Sequence, residues 1–397
     1  ADFPILSELV HGKPLVYLDS ANTSQKPLSV ITATDSYYRH ANANIHRATH
    51  LLSERATALY EGARKKAAAF LNAPDARTIV LTKGTTDGIN LVANSYGRAI
   101  LKPGDEIILS WLEHHSNIVP WQLMAAQTGA TIRVIGINEA GELDLDQYAA
   151  LLSNRTRIVA VGHVSNALGT INPVKTMIDQ AHAVGAVVLV DGAQAAPHMA
   201  VDVQALDCDF YVLSSHKMFG PTGTGVLYGK AALLEAMPPY QGGGDMIASV
   251  TFEKTLYNEI PYKFEAGTPN MAGVVGLGAA IDYLATIDRA AALAHEDDVL
   301  AYATDRVREL GGIRIIGEAR HKTGVLSFVI DGVHPHDAGT ILDQQGIAVR
   351  TGQHCAQPVM DKFCIPATIR ASLAFYNTRA DIDALVTGLQ KVKAVFA

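Results

Sequence analysis

The sequence predicts an α/β fold built on a parallel sheet. Short apolar runs alternate with longer amphipathic runs along the central region, an order typical of layered α/β domains. Several of these runs are apolar throughout, as in strands that a parallel sheet buries on both faces. Hydrophobic residues make up 48% of the 397 residues and charged residues 18%. This composition supplies a sizeable core and excludes a disordered or fibrous chain.

The central region predicts strands separated by amphipathic helices. The strands are expected at Thr78–Thr82, Glu106–Ser110, Thr131–Ile135, Arg157–Val161, Ala186–Asp191 and Phe210–Ser214. Apolar residues that recur at helical spacing predict helices at Ser53–Leu71, Asp87–Arg98 and Thr176–Val184.

The pattern changes beyond about residue 240. Glycine-rich segments at Gln241–Gly244 and Ala266–Asn270 indicate loops. A long helical pattern follows from Gly276, and strand-like runs follow at Gly324–Ile330 and Ile347–Arg350. These elements predict a second, smaller unit of α+β type.

The last helix is predicted to begin at a capping pair, Thr378 and Asp381. Its apolar residues then share one face: Ile382, Leu385, Leu389 and Val392. We therefore expect a large domain over residues 16–280 and a smaller α+β domain over residues 1–15 and 281–397.

The charge and cysteine content exclude several classes of protein. The chain has 32 Lys and Arg against 39 Asp and Glu, a formal charge of −7, which makes nucleic acid an unsuitable partner. No apolar run reaches the roughly 18 residues that a membrane span needs, and no secretory signal pattern opens the sequence. Three cysteines are too few for a disulfide framework. We therefore expect a cytoplasmic protein without a membrane segment.

A lysine follows the strand predicted at Phe210–Ser214. Ser214-Ser215-His216-Lys217 ends this strand and precedes a glycine-rich run, Gly220–Gly225. Ligands of open α/β sheets bind at the carboxyl ends of strands, and a desolvated lysine amine can form a Schiff base with an aldehyde cofactor. The alternative for Lys217 is a solvated side chain in a turn.

A carboxylate ends another buried strand. Asp191 follows the apolar run Ala186–Val190, and Gln194 lies three residues later. A carboxylate at this edge could pair with the protonated ring nitrogen of a pyridoxal cofactor. The alternative is a capping role for Asp191 at the start of the loop that follows.

The segment Lys83-Gly84-Thr85-Thr86-Asp87-Gly88 lies between a predicted strand and a predicted helix. Its N–H groups and threonine hydroxyls could hold a phosphate at the N-terminus of the helix. It lacks the spacing of a Walker loop, and an ordinary strand-to-helix turn is the alternative.

His114 and His115 follow the strand predicted at Glu106–Ser110. Adjacent side chains point in different directions, so one metal ion is not expected to bind both. One imidazole could instead stack on a cofactor ring and move protons. A structural role is the alternative, and no metal site is predicted.

Residues 350–358 combine glycine, histidine and a cysteine in a predicted loop. Cys355 could act as a thiolate nucleophile beside basic groups, whereas a buried apolar role suits Cys208 better. Cys364 is left undecided. Arg370 could bind a carboxylate through two parallel hydrogen bonds, with a salt bridge as the alternative.

In combination, these motifs resemble the type II cysteine desulfurases, the SufS/CsdA-like group of the class V aminotransferases. The motifs are Ser214-Ser215-His216-Lys217, Asp191-Gly192-Ala193-Gln194, His114-His115-Ser116-Asn117 and Arg350-Thr351-Gly352-Gln353-His354-Cys355. The similarity runs from Tyr17-Leu18-Asp19-Ser20 to Tyr376-Asn377-Thr378, which is nearly the whole chain.

The resemblance implies a fold-type I transferase dependent on pyridoxal 5′-phosphate (PLP). Its large domain would carry a mostly parallel seven-stranded sheet flanked by helices, beside a smaller α+β domain that carries the cysteine. It also implies a homodimer with the active site at the subunit interface.

The resemblance assigns cofactor contacts to residues of the motifs. They are Lys217 as the Schiff-base lysine, Asp191 at the ring nitrogen, Gln194 at the ring hydroxyl, His114 stacked on the ring, and Thr85, Thr86, Ser214 and His216 around the phosphate. Thr268 of each chain would reach the phosphate bound by the other chain.

Substrate contacts are implied in the same way. Asn166, Arg350 and Arg370 would bind the substrate, and Cys355 would accept its sulfur. The implied reaction removes sulfur from L-cysteine, releases L-alanine and leaves a persulfide on Cys355. A SufE-like or other acceptor protein would then take the sulfur for iron–sulfur cluster assembly, and L-selenocysteine could also serve as substrate.

Two other hypotheses stay open at this point. The chain could be another fold-type I PLP enzyme, such as an aminotransferase or a kynureninase-like hydrolase, which would need no cysteine. It could also be a non-catalytic sulfur carrier or assembly scaffold. Two positions depart from the common pattern of the family: Gln353 precedes His354 where many members have a second histidine, and Asn22 replaces an alanine.

Overall fold

The strands of the chain are short and fall into five sheets in the computed structural model, which describes residues 2–396. In chain order they are β1 (Leu9–Val10), β2 (Lys13–Pro14), β3 (Val16–Tyr17), β4 (Ile79–Thr82), β5 (Glu106–Ser110), β6 (Thr131–Ile135), β7 (Thr156–Gly162), β8 (Val187–Asp191), β9 (Phe210–Ser214), β10 (Gly225–Gly229), β11 (Ile247–Val250), β12 (Thr255–Tyr257), β13 (Ile313–Ile316), β14 (Val325–Ile330), β15 (Ile347–Ala348), β16 (Arg350–Gly352) and β17 (Thr368–Ser372).

The α-helices pack on both faces of the largest sheet and on the smaller one. They are α1 (Leu28–His40), α2 (Leu51–Phe70), α3 (Thr85–Val92), α4 (Arg98–Ile100), α5 (Val119–Thr128), α6 (Leu145–Leu151), α7 (Val174–Ala183), α8 (Val203–Leu206), α9 (Ala231–Ala236), α10 (Met271–Ala285), α11 (Arg289–Glu309), α12 (Pro335–Asp343), α13 (Gln357–Lys362) and α14 (Arg379–Val395).

The largest sheet has seven strands in the order β4-β10-β9-β8-β7-β5-β6. Six of them run parallel, and each overlaps a strand predicted from the sequence. The seventh, β10, was not predicted and runs antiparallel between β4 and β9. The expected α/β fold with a mostly parallel sheet is therefore confirmed.

Successive residues of the central strands enter two different cores, one on each face of the sheet. In β7, Val159 and Val161 belong to one hydrophobic cluster, whereas Ile158 and Ala160 belong to the other. This alternation explains why these strands are apolar throughout, since both faces are covered by helices. The edge strand β6 is largely exposed.

The carboxyl ends of the parallel strands meet at one edge of the sheet, and every motif singled out in the large domain follows one of these ends. β4 leads to the α3 turn, β5 to His114, β8 ends at Asp191 and β9 leads to Lys217. The topology thus brings together side chains that are far apart in the sequence.

The smaller unit contains an antiparallel sheet in the order β13-β14-β17-β16 and its own core. The predicted capping box of α14 is present, with Thr378 and Asp381 each bonded to the other's backbone. All four predicted apolar residues of this helix are buried.

The predicted domain boundaries stay a prediction. The packing of the residues near the N-terminus shows which core each of them joins. Val16 and Leu18 belong to the core of the smaller unit, while Phe3 packs into the main core. β3 pairs with β15, which joins the N-terminal segment to the smaller unit. Residues 1 and 397 of the predicted domains lie outside the described part of the chain.

Several element boundaries differ from the expectation. The helix expected from Gly276 begins at Met271, because the Asn270 side chain caps it by accepting the N–H of Gly273. The helix expected at Asp87–Arg98 starts at Thr85 and passes through a π-helical turn at Ala93–Gly97. The hairpin β11–β12 between the two predicted loops was missed.

Within residues 2–396, no single helix is long and apolar enough to cross a membrane. The bent pair α10 and α11 meets that test of length and composition only when its two helices are taken together. No cluster of three metal-ligating side chains occurs in the same part of the chain.

Candidate active site

One cavity at the carboxyl edge of the main sheet contains nearly all of the predicted site residues. It has a volume of about 190 Å³ and opens to solvent. The predicted residues that line it are Thr85, Thr86, His114, Asn166, Asp191, Gln194, Ser214, His216, Lys217, Arg350, Cys355 and Arg370. Thr268 is the exception and lines a neighbouring cavity together with Lys83 and Gly223.

Lys217 ends a short 3-10 helix, Ser215–Lys217, directly after β9. Burial lowers the pKa of its amine to about 8; the nearby Asp191 carboxylate opposes this shift, and the Arg370 guanidinium adds to it. A substantial fraction of the amine is therefore neutral near pH 8, the form that attacks an aldehyde. The alternative of a solvated lysine in a turn is not what the structure contains.

Asp191 is the last residue of β8 and is 8% exposed. Its Oδ1 accepts the N–H of Ala193 at 2.9 Å, so the alternative capping role is partly correct, although no α-helix follows immediately. Burial raises the pKa of this carboxyl, while the Ala193 hydrogen bond and Lys217 oppose the shift. A cationic ring nitrogen is the kind of partner that would stabilise a buried carboxylate.

Hydroxyl groups gather at the N-terminus of α3. The Oγ of Ser214 accepts the N–H of Thr85 and donates to the Thr85 hydroxyl, both at 2.9 Å. Gly84 precedes this helix with a φ of 145°, a conformation that glycine alone adopts readily. The helix dipole, the free N–H groups and the hydroxyls suit a phosphate.

His114 caps the short 3-10 helix His115–Asn117 after β5, and its ring lines the cavity. Its Nδ1 accepts the N–H of Ser116 at 3.1 Å, which leaves the Nε2 as the protonated nitrogen of the neutral ring. Burial lowers the pKa of His114 to about 3, with Lys217 adding to the shift. The imidazole is therefore neutral at physiological pH.

His115 points elsewhere, as expected for adjacent histidines. The planes of the His114 and His115 rings are inclined by 50°. The Nε2 of His115 accepts the N–H of Gln357, in the segment after Cys355, at 3.1 Å. The two histidines therefore have different contacts, one in the cavity and one between loops.

Two arginines lie opposite each other on adjacent strands of the smaller unit. Arg350 on β16 pairs in register with Arg370 on β17. Arg370 is 2% exposed and donates to the carbonyl of Asn166 at 2.9 Å and to the Asp19 carboxylate at 3.2 Å. Burial, together with Arg350, lowers the pKa of Arg370 to about 10, so it stays charged at neutral pH.

The Nε of Arg370 is buried without a hydrogen-bond partner among the described residues. An unpartnered charged donor beside a cavity suits an anionic ligand. The side chain of Asn166, predicted to bind substrate, donates to the carbonyl of His354 at 2.6 Å. Asn166 thus also links the cavity to the loop that carries Cys355.

The loop with Cys355 has an uncommon backbone. His354 and Cys355 have φ values of 55° and 54°, in the left-handed region. Cys355 is exposed and lines the cavity, while Cys208 is fully buried, as expected. Cys364 is also exposed but does not line the cavity.

Sequence reasoning gave no role to several polar residues that line the cavity, among them Glu113 and His354. Glu113, which directly precedes His114, is 1% exposed, and burial raises its pKa to about 7. His354 is 5% exposed; its Nε2 bonds the Thr368 hydroxyl at 2.7 Å, and burial lowers its pKa to about 3. Proximity to His114 and Cys355 in the sequence was the only signal available for either residue.

The arrangement fits PLP on several observations. An amine of lowered pKa, a buried carboxyl and a hydroxyl-lined helix N-terminus line one cavity. They match the aldehyde, the ring nitrogen and the phosphate of that cofactor. A thiol and an unpartnered guanidinium nitrogen at the same cavity add groups that a substrate could contact.

Comparison with known proteins gives close relatives along nearly the whole chain. A cysteine desulfurase of Synechococcus elongatus is 53% identical over 392 residues, which cover 99% of this chain and 63% of that protein. The chain thus spans slightly less than two thirds of that relative. A cysteine desulfurase of Dickeya dadantii is also 53% identical, over 99% of this chain and 95% of its own length.

Solved structures agree with these relatives. The cysteine desulfurase CsdA of Escherichia coli, solved in an S-sulfonic acid form, superposes with a TM-score of 0.93 at 45% identity, covering 100% of this chain and 98% of that one. The aminotransferase class-V family matches residues 16–385. The chain therefore belongs to the aminotransferase class-V family, among its cysteine desulfurases.

Proposed function

We propose that this chain is a PLP-dependent cysteine desulfurase that converts L-cysteine to L-alanine and carries the sulfur as a persulfide on Cys355. The observation that carries the proposal is the shared cavity of Lys217, Arg370 and Cys355, which come from three separate segments. An aminotransferase or a kynureninase-like hydrolase needs no thiol there, and a non-catalytic scaffold needs no lysine of lowered pKa.

The residues that would hold the cofactor are those at the carboxyl edge of the sheet. Lys217 would bind its aldehyde carbon, Asp191 its ring nitrogen, and Thr85, Thr86, Ser214 and His216 its phosphate; the neutral His114 ring would lie against the cofactor ring. When bound, PLP supplies an electron sink that weakens the Cβ–S bond of the substrate.

The chain's own groups carry the remaining steps. Arg370, charged at neutral pH, binds the substrate carboxylate with Arg350 beside it. Lys217, once released from the aldehyde, moves protons through its Nζ, because burial keeps its pKa near 8. The Cys355 thiolate attacks the substrate sulfur, and the S–S bond forms as the Cβ–S bond breaks. The electron pair of the broken bond stays with the carbon, which takes up a proton and becomes the methyl group of alanine.

The partners follow from the same proposal. L-cysteine is the substrate, and L-selenocysteine is a second candidate because its C–Se bond is weaker. A SufE-like or other acceptor protein takes the sulfur from Cys355, whose exposure supports transfer to another protein. Delivery to iron–sulfur cluster assembly in the cytoplasm completes the proposed role.

A homodimer is part of the proposal. Thr268 lines a cavity next to the hydroxyl-lined turn, and it would reach the phosphate bound by a second copy. The hairpin β11–β12 carries exposed apolar side chains, Val250, Phe252, Leu256 and Tyr257, which a second copy could cover. Light scattering should give twice the mass of the chain, and a monomer with full activity would contradict this part.

The decisive experiment is incubation of the PLP-loaded protein with L-cysteine, followed by intact-mass and peptide analysis. One added sulfur atom on Cys355 and formation of L-alanine are expected. Cys355→Ala should abolish both, whereas Cys364→Ala, at the other exposed cysteine, should retain them. Undiminished alanine and sulfide formation in Cys355→Ala would reject the persulfide mechanism.

A further inference from the structure

Glu113 is a buried acid with no assigned role, and the groups around it donate hydrogen bonds to its carboxyl group. It is 1% exposed, and its Oε1 accepts both the Ser110 hydroxyl and the N–H of Gly162, the latter at 3.1 Å. Its Oε2 accepts the side-chain N–H of Asn117 at 2.6 Å. Two donors from the same segment and one from the neighbouring strand thus converge on one carboxyl group.

These donors surround the loop that follows β5. Ser110 ends β5, Asn117 ends the 3-10 helix that His114 caps, and Gly162 ends the neighbouring strand β7. Gly162 also pairs in register with Asp191 on β8. The carboxyl group therefore fixes the position of His114 relative to the strand ends that form the cavity.

The same loop holds the segment that carries the thiol. The N–H of His115 donates to the carbonyl oxygen of Cys355 at 2.7 Å, and the His115 ring accepts the N–H of Gln357. A shift of the loop would therefore move Cys355 as well as His114.

We infer that Glu113 is a positioning residue, which aligns His114 and, through His115, the Cys355 loop with the cofactor site. This inference rests on the proposed function. Glu113 acts through its neighbours, because its side-chain hydrogen bonds with the described residues go to Ser110, Asn117 and Gly162.

A test follows from the orientation of Asn117. Its Oδ1 accepts the indole N–H of the fully buried Trp121 at 2.9 Å, so its amide group cannot turn over without losing that bond. In Glu113→Gln, an amide NH₂ would face either the NH₂ of Asn117 or the N–H of Gly162. Either orientation leaves two buried donors opposed.

Glu113→Gln should slow persulfide formation on Cys355 about 10- to 100-fold, because a misplacement of about 1 Å in an active site has effects of that size. We expect this loss in kcat, with KM for L-cysteine changed less, since Arg370 is untouched. The loosened loop should also raise the alkylation rate of Cys355 relative to the exposed Cys364, measured on protein without added cofactor.

The double variant Glu113→Gln/Asn117→Asp provides the matched control, because it exchanges the carboxyl and amide groups. The carboxylate introduced at position 117 would accept from both the introduced amide at position 113 and the indole of Trp121. The oxygen of that amide would still accept from Ser110 and Gly162. Both kcat and the alkylation ratio should return toward the wild-type values. Asn117→Asp alone should not give the wild-type kcat or alkylation ratio, since it places two carboxyl groups against each other.

The outcomes separate this inference from the proposed function. If wild-type protein forms a persulfide but Glu113→Gln matches it in kcat and alkylation, the positioning role is wrong and the function stands. A folded double variant, with the thermal midpoint of the wild type but no recovery of kcat or of the alkylation ratio, also overturns the inference.

Should Glu113→Gln fail to fold, Ser110→Ala provides a second test because it removes one donor. It should change kcat and the alkylation ratio in the same direction, and unchanged values would overturn the inference. If wild-type protein forms no persulfide, the proposed function fails. The alkylation ratio then still tests whether Glu113 positions the Cys355 loop.

Discussion

The backbone N–H of His115 donates a hydrogen bond to the carbonyl oxygen of Cys355 at 2.7 Å, across 240 residues of chain. A second bond, from the N–H of Gln357 to the His115 ring at 3.1 Å, reinforces the contact. The loop after β5 belongs to the large sheet and the Cys355 loop follows β16 of the smaller unit. The proposed cofactor site and the proposed nucleophile are therefore held together by one backbone hydrogen bond and one bond to a side chain.

The ring bond of His115 can be tested directly. His115→Phe removes the acceptor for Gln357 but leaves the backbone bond to Cys355. A hydrogen bond contributes about 0.5–1.5 kcal/mol, so we expect persulfide formation to slow about 2- to 10-fold. His115→Gln offers an acceptor oxygen in its place and should recover part of the rate. Equal rates for the wild type and His115→Phe would show that this contact does not position the thiol.

The lowered pKa of Lys217 predicts how cofactor uptake depends on pH. The amine is protonated below about pH 8 and neutral above it, and only the neutral amine attacks an aldehyde. The rate of covalent PLP uptake by cofactor-free protein should therefore rise with pH and level off above about pH 9. Stopped-flow absorbance of the bound cofactor measures this rate.

Lys217→Ala is the control for that experiment. It should form no covalent product that borohydride can trap, at any pH. An uptake rate that stays flat between about pH 6 and pH 10 in the wild type would contradict the assigned pKa. A midpoint near the ordinary lysine value would show that burial does not lower the pKa of Lys217.

The positions of Lys217 and Asp191 could be predicted because each follows a recognisable buried strand. Parallel strands place their carboxyl ends at one edge, so the strand pattern alone brings these side chains together. The relative placement of Cys355 could not be found in this way. It depends on how the smaller unit packs, and Cys355 is not a residue that favours the left-handed backbone.

Glu113 and β10 show two different reasons why a feature of the structure was not predicted from the sequence. A glutamate between Leu112 and His114 gives no sign of burial. Its donors Ser110 and Asn117 are close in sequence, but Gly162 meets it only through the pairing of neighbouring strands. For β10 a signal did exist, because Gly225–Gly229 is an apolar run between glycines. Its antiparallel direction is set by tertiary pairing with β4 and β9.

The capping box of α14 predicts a local effect on stability. Asp381 accepts the N–H of Thr378 at 2.8 Å, and the Thr378 hydroxyl accepts the N–H of Asp381 at 3.4 Å. Thr378→Ala should lower the free energy of unfolding by about 1 kcal/mol. Urea denaturation should show a lower midpoint with an unchanged m-value, and the rate of persulfide formation should stay the same.

Thr387→Ala on the same helix is the matched control. Its hydroxyl is exposed and bonds only the carbonyl of Asp383 within the helix. The expected change is within about 0.5 kcal/mol, because surface substitutions in helices have small effects. Equal losses in the two variants would mean that the cap contributes nothing beyond the change to alanine.

Arg370 provides the sharpest test of substrate binding. It is 2% exposed, its Nε has no partner among the described residues, and its remaining nitrogens bond Asn166 and Asp19. With a pKa of about 10 it stays charged, so it can bind a carboxylate while it keeps both neighbours. A lysine carries one ammonium group and cannot form these bonds together with a paired contact to a carboxylate.

Arg370→Lys should therefore raise KM for L-cysteine about 10- to 100-fold, since hydrogen bonds to charged groups contribute about 1.5–3 kcal/mol. The fall in kcat should be smaller, because Lys217 and Cys355 are unchanged. Arg379→Lys is the control: this arginine is exposed and pairs with Asp298 on the surface, so both constants should stay within about twofold. A wild-type KM in a folded Arg370→Lys protein would mean that the substrate carboxylate binds elsewhere, and Arg350, which lies opposite on β16, would be the next residue to test.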